Sequence, residues 1–171
     1  MKEIIVIAEH RRGELRDITW EMLSKGRQLA ESTGSELGVA LLGKGVGPIA
    51  EALKPKANRV FLIEDERLEF FNSETYEKVL IQLITERKPI LTLIGHTATG
   101  MDFAPSLAVR LKIPLATDCI GIDANGETFS LTRQIYSGKV NAGVSFLKKG
   151  PYMITVRSGA FPVVEKSPLP G

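Results

Sequence analysis

As far as about Ile122 the chain repeats one unit, a short apolar run followed by a stretch whose apolar residues recur at helical spacing. The runs are Ile4–Ile7, Leu37–Leu42, Val60–Ile63, Ile90–Ile94 and Ala116–Ile122. Ile4–Ile7 is a continuous β-branched run rather than an alternating one, as expected for a parallel strand covered on both faces. Parallel neighbours are joined by right-handed helical crossovers. The expected fold is therefore α/β, an open parallel sheet of order 3-2-1-4-5 with helices on both faces.

The intervening stretches carry helix signals. Thr19 is a candidate N-cap with Glu21 behind it. Met22, Gly26, Leu29 and Ala30 share a face, and Gly34 supplies a stop. Gly43–Gly47 reads as a loop leading to a short helix through Leu53. Asn72 or Ser73 can cap a helix whose stripe is Tyr76, Leu80, Leu83 and Ile84. Phe70-Phe71 before it reads as a hydrophobic staple. Ala104, Leu107, Ala108 and Leu111 form the face of a fourth helix, with Pro105 expected in its first turn.

After Ile122 the period changes to two. Asn125-Gly126 is a hairpin signal, and Phe129, Leu131 and Ile135, then Val140, Ala142, Val144 and Phe146, alternate with polar residues. Turns at Ser137-Gly138 and Lys149-Gly150 separate them. This predicts an added antiparallel segment near the C-terminus, ending in Met153–Val156. Residues 1–160 are expected to form one domain, and 161–171, with three prolines, a linker or docking arm.

Charge narrows the function. With 22 basic and 20 acidic residues the formal charge is +2, and no Lys/Arg block stands out, so nucleic acid is not an expected partner. The apolar runs are too short to span a bilayer, so no membrane insertion is expected. The run opening at Ile4 leaves no length for a leader peptide, and the single cysteine, Cys119, forms no disulfide framework, so a cytoplasmic setting is expected.

In an open parallel sheet, ligands collect beyond the carboxyl ends of the strands where the order reverses. Two segments fall there, Ala8-Glu9-His10 and Gly95-His96-Thr97-Ala98-Thr99-Gly100. Ala8, His10, His96, Thr97, Thr99 and Gly100 are the candidate nucleotide or anion pocket, the free N–H groups of a helix start being its donors. The same hydroxyls can instead cap those N–H groups with no ligand involved. No GxGxxG or Walker loop is present, the two histidines lack metal-ligand spacing, and no nucleophile elbow exists. Neither a metal nor a catalytic residue is assigned. A ligase or hydrolase of adenine nucleotides would need a pyrophosphate loop after the first strand, which Glu9-His10-Arg11-Arg12-Gly13 does not resemble.

Four stretches, in order, resemble the alpha subunit of electron-transfer flavoproteins. They are Ile5-Val6-Ile7-Ala8-Glu9-His10 with Gly13-Glu14-Leu15, and Thr97-Ala98-Thr99-Gly100-Met101-Asp102-Phe103-Ala104-Pro105 with Thr117-Asp118 downstream. The others are Arg133-Gln134-Ile135-Tyr136-Ser137-Gly138-Lys139 and Thr155-Val156-Arg157-Ser158-Gly159-Ala160-Phe161-Pro162. Met101 stands where the family pattern has arginine, Gln134 where it has proline, and Ser137 and Ser158 replace other small or rigid residues.

The resemblance implies the N-terminal domain of such a subunit, in the adenine-nucleotide alpha-hydrolase-like arrangement. FAD is then expected on a second domain beyond Gly171, and this domain is expected to be a non-catalytic component of an electron carrier. Its implied partner is a beta-type subunit, in a heterodimer serving a dehydrogenase and an electron acceptor. AMP, held by the related beta subunit on this same fold, is the other nucleotide the resemblance brings in. Arg133, Tyr136, Gly138, Lys139 and Arg157 are the implied partner contacts. The alternative is a free-standing adenine-nucleotide-binding module of universal-stress-like fold.

Overall fold

A computed structural model describes residues 2–164. From the N-terminus it runs β1 (Glu3–Ile7), a two-residue-strand hairpin of β2 (His10–Arg11) and β3 (Glu14–Leu15), α1 (Asp17–Thr33), β4 (Glu36–Gly43), α2 (Gly47–Leu53) and β5 (Arg59–Glu64). Then come α3 (Ser73–Arg87), β6 (Leu91–Gly95), α4 (Ala98–Leu111), β7 (Leu115–Asn125), β8 (Thr128–Ile135), β9 (Val140–Ser145) and β10 (Tyr152–Val156). The main sheet has the order β5-β4-β1-β6-β10-β7-β8-β9.

Every residue of β1 is buried, which is why Ile4–Ile7 reads as an unbroken apolar run, while Glu3 at the strand's start is paired with Arg87. Ile4 and Val6 join α1 and α2 in one core, while Ile5 and Ile7 join α3 and α4 in the other. The sheet is thus covered on both faces. Each such aliphatic side chain contributes about 1.5–3 kcal/mol by leaving water. On α1 the close approach depends on Gly26, where an added Cβ would lie 2.9 Å from Leu37 Cδ1. The staple at α3 is present: Phe71 packs edge-on against Tyr76, with ring centroids 4.9 Å apart, and Asn72 caps the helix.

Three local expectations are corrected. Thr19 is not the N-cap of α1; the helix begins at Asp17 with Arg16 at the cap. The reason is that the Thr19 hydroxyl is taken up by the Glu9 backbone, accepting from its N–H at 2.8 Å and donating to its carbonyl at 2.9 Å. Pro105 lies inside α4 rather than in its first turn, because Thr97 caps the helix well upstream. The carbonyl four residues back belongs to Met101, a residue 49% exposed, so water can serve where the proline N–H is missing.

The third correction concerns strand order. Strands 3-2-1-4 stand as expected (β5, β4, β1, β6), but β10 is inserted between the fourth and fifth, parallel to both. All of Tyr152–Val156 is buried, which only a central strand allows. The antiparallel group is therefore β7-β8-β9 alone. β7 kinks at Asp118, whose φ of +58° is left-handed, and the register shifts on both sides of it. Beyond the kink the ribbon folds back along the sheet. Phe129 and Phe146 pack on Tyr152, and Glu127 at the hairpin turn pairs with Lys2.

Residues 161–164 run against α1. Lys25 Nζ sits 5.3 Å from the Phe161 ring centroid, and the Val164 N–H donates to Ser24 Oγ at 3.1 Å. The rest of the expected 161–171 arm lies outside the described residues.

Candidate functional site

The loops after β1 and β6 meet at the carboxyl end of the sheet, as their adjacency requires. Glu9 ties them together. Its Oε2 accepts from the Thr97 hydroxyl at 2.7 Å, and Thr97 Oγ1 accepts from the Gly100 N–H at 3.1 Å. The first turn of α4 is thus capped from within the chain. Gly100 is dictated by packing: a Cβ there would lie 1.8 Å from the Gly95 carbonyl oxygen.

His10 turns toward β4, its Nε2 donating to the Leu42 carbonyl at 2.7 Å. This fixes the tautomer, leaving Nδ1 as a buried acceptor without a protein partner among the described residues. Tyr76 approaches the same carbonyl at 3.4 Å. Burial, with the nearby Glu9 charge adding to it, pushes the Tyr76 phenol up to about 12. Phe71, Tyr76 and Phe103 pack together behind it. What these side chains leave open is a cavity of about 40 Å³, whose walls include Ala8, Glu9, His10, Thr99 and Gly100.

Of the six sequence-predicted pocket residues, Ala8, His10, Thr99 and Gly100 share this cavity. Thr97 faces instead a wider cleft of about 860 Å³ with Arg11, Arg12, Arg16 and Ser158. Glu14, Asp17 and Glu21 line that cleft too, so its charges are mixed; Glu21 accepts from the Gly159 N–H at 2.8 Å. His96 points away from His10. Its Nδ1 meets Thr155 Oγ1 at 2.9 Å, and its Nε2 lies 3.9 Å from Asp118 Oδ1. Thr155 Oγ1 accepts from the Asp118 N–H at 3.0 Å, which frees its own hydrogen for His96 Nδ1.

Beside them, Arg157 forms a two-pronged pair with Asp118, at 2.9 and 2.6 Å, and also donates to Gln134 Oε1. The Arg157 guanidinium holds the Asp118 carboxyl below its usual range despite partial burial. This pair braces the kink of β7 against β10 and β8. Arg133 sits behind it with a buried Nε that has no acceptor among the described residues. Tyr136, Ser137 and Gly138 form a left-handed turn (φ of 52°, 54° and 84°) that projects Tyr136, at 75% exposure, and Lys139 into solvent. Sequence reasoning missed Glu9 as the hub, and Thr155 and Gln134 as braces. The signal for Thr155 was a hydroxyl inside an otherwise apolar run.

A family model described as the electron transfer flavoprotein domain matches residues 4–169. The electron transfer flavoprotein subunit alpha of Megasphaera elsdenii is 38% identical over 170 residues, covering 98% of this chain and 50% of that protein. The subunit alpha of Clostridium acetobutylicum is 37% identical over 171 residues, with the same two coverages, and that of Bacillus subtilis 38% over 139 residues, 81% and 42%. The chain spans about half the length of the curated relatives it matches. It belongs to the electron-transfer flavoprotein family, as a domain of the alpha-subunit type.

Proposed function

We propose that this domain is a platform, one part of a flavin electron carrier whose FAD is held outside residues 2–164. The observation that carries this is the state of the switch-point crevice. His10, Tyr76, Phe71 and Phe103 fill it down to about 40 Å³, against several hundred for a site that encloses a ligand of drug size. FAD does not fit that crevice. AMP would enter it only if His10 left the Leu42 carbonyl. The free-standing nucleotide-binding module is accordingly not favoured.

In this reading residues 1–160 are the platform, and the segment from Phe161 onward joins it to the rest of the carrier. The domain itself performs no catalysis and works in the cytoplasm. Its beta-type partner meets Tyr136, Gly138 and Lys139 on the exposed turn and Arg133 behind it. Arg157 sets that surface by gripping Asp118 and Gln134. Tyrosine and arginine are the residue types that most often anchor interfaces. The choice of dehydrogenase and acceptor is a property of the assembled carrier.

The test is association of the purified domain with the beta-type subunit of its host, by analytical ultracentrifugation. Tyr136→Ala should weaken it by about thirtyfold, the effect of a central anchor worth about 2 kcal/mol. The domain alone should show no flavin absorbance. Stoichiometric FAD on the isolated domain, or binding indifferent to Tyr136→Ala and Lys139→Ala, would refute the proposal.

A further inference from the structure

β8 pairs with β7 only from Cys119 onward, so on its outer side the start of β7, Leu115–Thr117, ahead of the kink at Asp118, carries no strand among the described residues. A groove of about 930 Å³ runs past this open edge, between the C-terminal half of α4 and the connection from β9 to β10. Its walls are apolar, and two of the side chains on them are exposed far beyond what a core position allows: Val109 at 77% and Leu147 at 101%. Its charges are all of one sign. Lys112, Arg133, Lys148 and Lys149 line it, and no aspartate or glutamate among the described residues does.

None of the four cations makes an ion pair among the described residues. Two carboxylates feel their fields, and both are engaged elsewhere. Asp118, near Arg133, is held by Arg157, and Glu127, near Lys149, is held by Lys2. Arg133 also keeps a buried Nε–H without an acceptor among the described residues. In a chain whose net charge is only +2, a groove with four unneutralised cations is a local concentration rather than a reflection of composition.

We propose that this groove docks an extended, acidic, aliphatic segment of a partner protein, which adds as a strand to the open edge at the start of β7. Strand addition explains how one ligand can use both features. Alternate side chains of a strand point to opposite faces, so apolar residues reach the groove wall while carboxylates at the positions between reach the lysines and Arg133. An unpaired edge is the fitting template, because its free N–H and C=O groups already have strand geometry. The docking is independent of the platform reading: the groove lies off the Tyr136–Lys139 turn, and of the proposed beta-subunit contacts it shares Arg133 alone.

The experiment uses a fluorescein-labelled octapeptide of alternating Glu and Val, titrated against the full chain by fluorescence anisotropy, with the Lys/Val octapeptide as control. The acidic peptide should bind and the basic one should not. Binding should fall by about tenfold or more in Lys148→Glu/Lys149→Glu, and should weaken as salt screens the pairs. Both lysines are exposed, and an unchanged melting curve verifies that the variant folds. Amide shifts in a labelled sample should concentrate at Leu115–Thr117, and Tyr136→Ala should bind like the unaltered chain. Equal binding of the two peptides, no loss in the double variant, or shifts elsewhere would overturn the proposal. So would binding to phosphatidylserine vesicles without binding to the peptide.

Discussion

Gly100→Ala separates a glycine required by packing from one required by a ligand. Gly100 stands in the first turn of α4, where alanine is intrinsically the better helix former by about 1 kcal/mol. The structure reverses that preference. The new Cβ would fall 1.8 Å from the Gly95 carbonyl oxygen and 3.0 Å from Ile94 Cγ2. A carbon and a carbonyl oxygen approach comfortably at roughly 3.3 Å, so the turn must open by about 1.5 Å. The obstacle is backbone, which cannot rotate aside, and Thr97 and Glu9 hang on the same turn. Overpacking of this kind costs about 3 kcal/mol, the upper part of the usual range, which leaves about 2 kcal/mol after the helix gain. For a chain of this length that lowers Tm by about 4–8 °C. Gly47→Ala is the control. It also sits in a first helical turn, but with nothing within 4 Å of its Cβ, and it should be neutral or slightly stabilising. Far-UV circular dichroism melts of both variants decide the matter. A Gly100→Ala protein melting with the unaltered one would show that the glycine is not there for the approach to Gly95.

Three further outcomes rest on the same geometry. The Asp118 carboxyl is held below its unfolded value, so it stabilises the fold above the ordinary carboxylate range and that contribution is lost as pH falls through the depressed value. Urea midpoints of the unaltered chain should therefore drop more steeply on acidification than those of Asp118→Asn, which should itself be weaker at neutral pH by about 1.5 kcal/mol. With the Tyr76 phenol pushed up to about 12, the neutral form favours the fold fully below the unfolded value near 10, and the benefit is lost between there and about 12. An ultraviolet titration of Tyr76→Phe should lack a phenolate step near 12 that the unaltered chain shows. Burial pushes the Cys119 thiol up to about 11, so a disulfide reagent at pH 8 should modify it only after denaturation; rapid reaction of the native chain would contradict its placement.

Much of the fold was legible because burial on two faces leaves an unmistakable trace. Ile4–Ile7 and Leu37–Leu42 are buried throughout and read as unbroken apolar runs. The same trace is present in Met153–Val156, whose continuous pattern matches a covered central strand. The residues before it alternate, however, and a run of antiparallel strands suggests one more. Period alone cannot say where a returning chain re-enters a sheet. The answer lies in long-range pairing: β10 enters between β6 and the part of β7 around the kink at Asp118, parallel to both.

The site was legible in position but not in wiring. That Ala8, His10, Thr99 and Gly100 would meet is a consequence of strand adjacency, since β1 and β6 are neighbours and both loops leave at their carboxyl ends. Whether they meet around a ligand or around each other depends on side-chain direction, which adjacency does not set. His10 and His96 flank the same switch point, yet one binds a β4 carbonyl and the other a β10 hydroxyl. Thr19 illustrates the limit most plainly. Its hydroxyl suits a helix cap wherever the sequence is read one element at a time, and the structure spends it on the backbone of the preceding strand's exit, Glu9. Polar groups at the rim of a packed sheet have several acceptable partners close by. Which one each takes depends on the packing around it, here a crevice that His10, bonded to the Leu42 carbonyl, shares with the packed rings of Phe71, Tyr76 and Phe103.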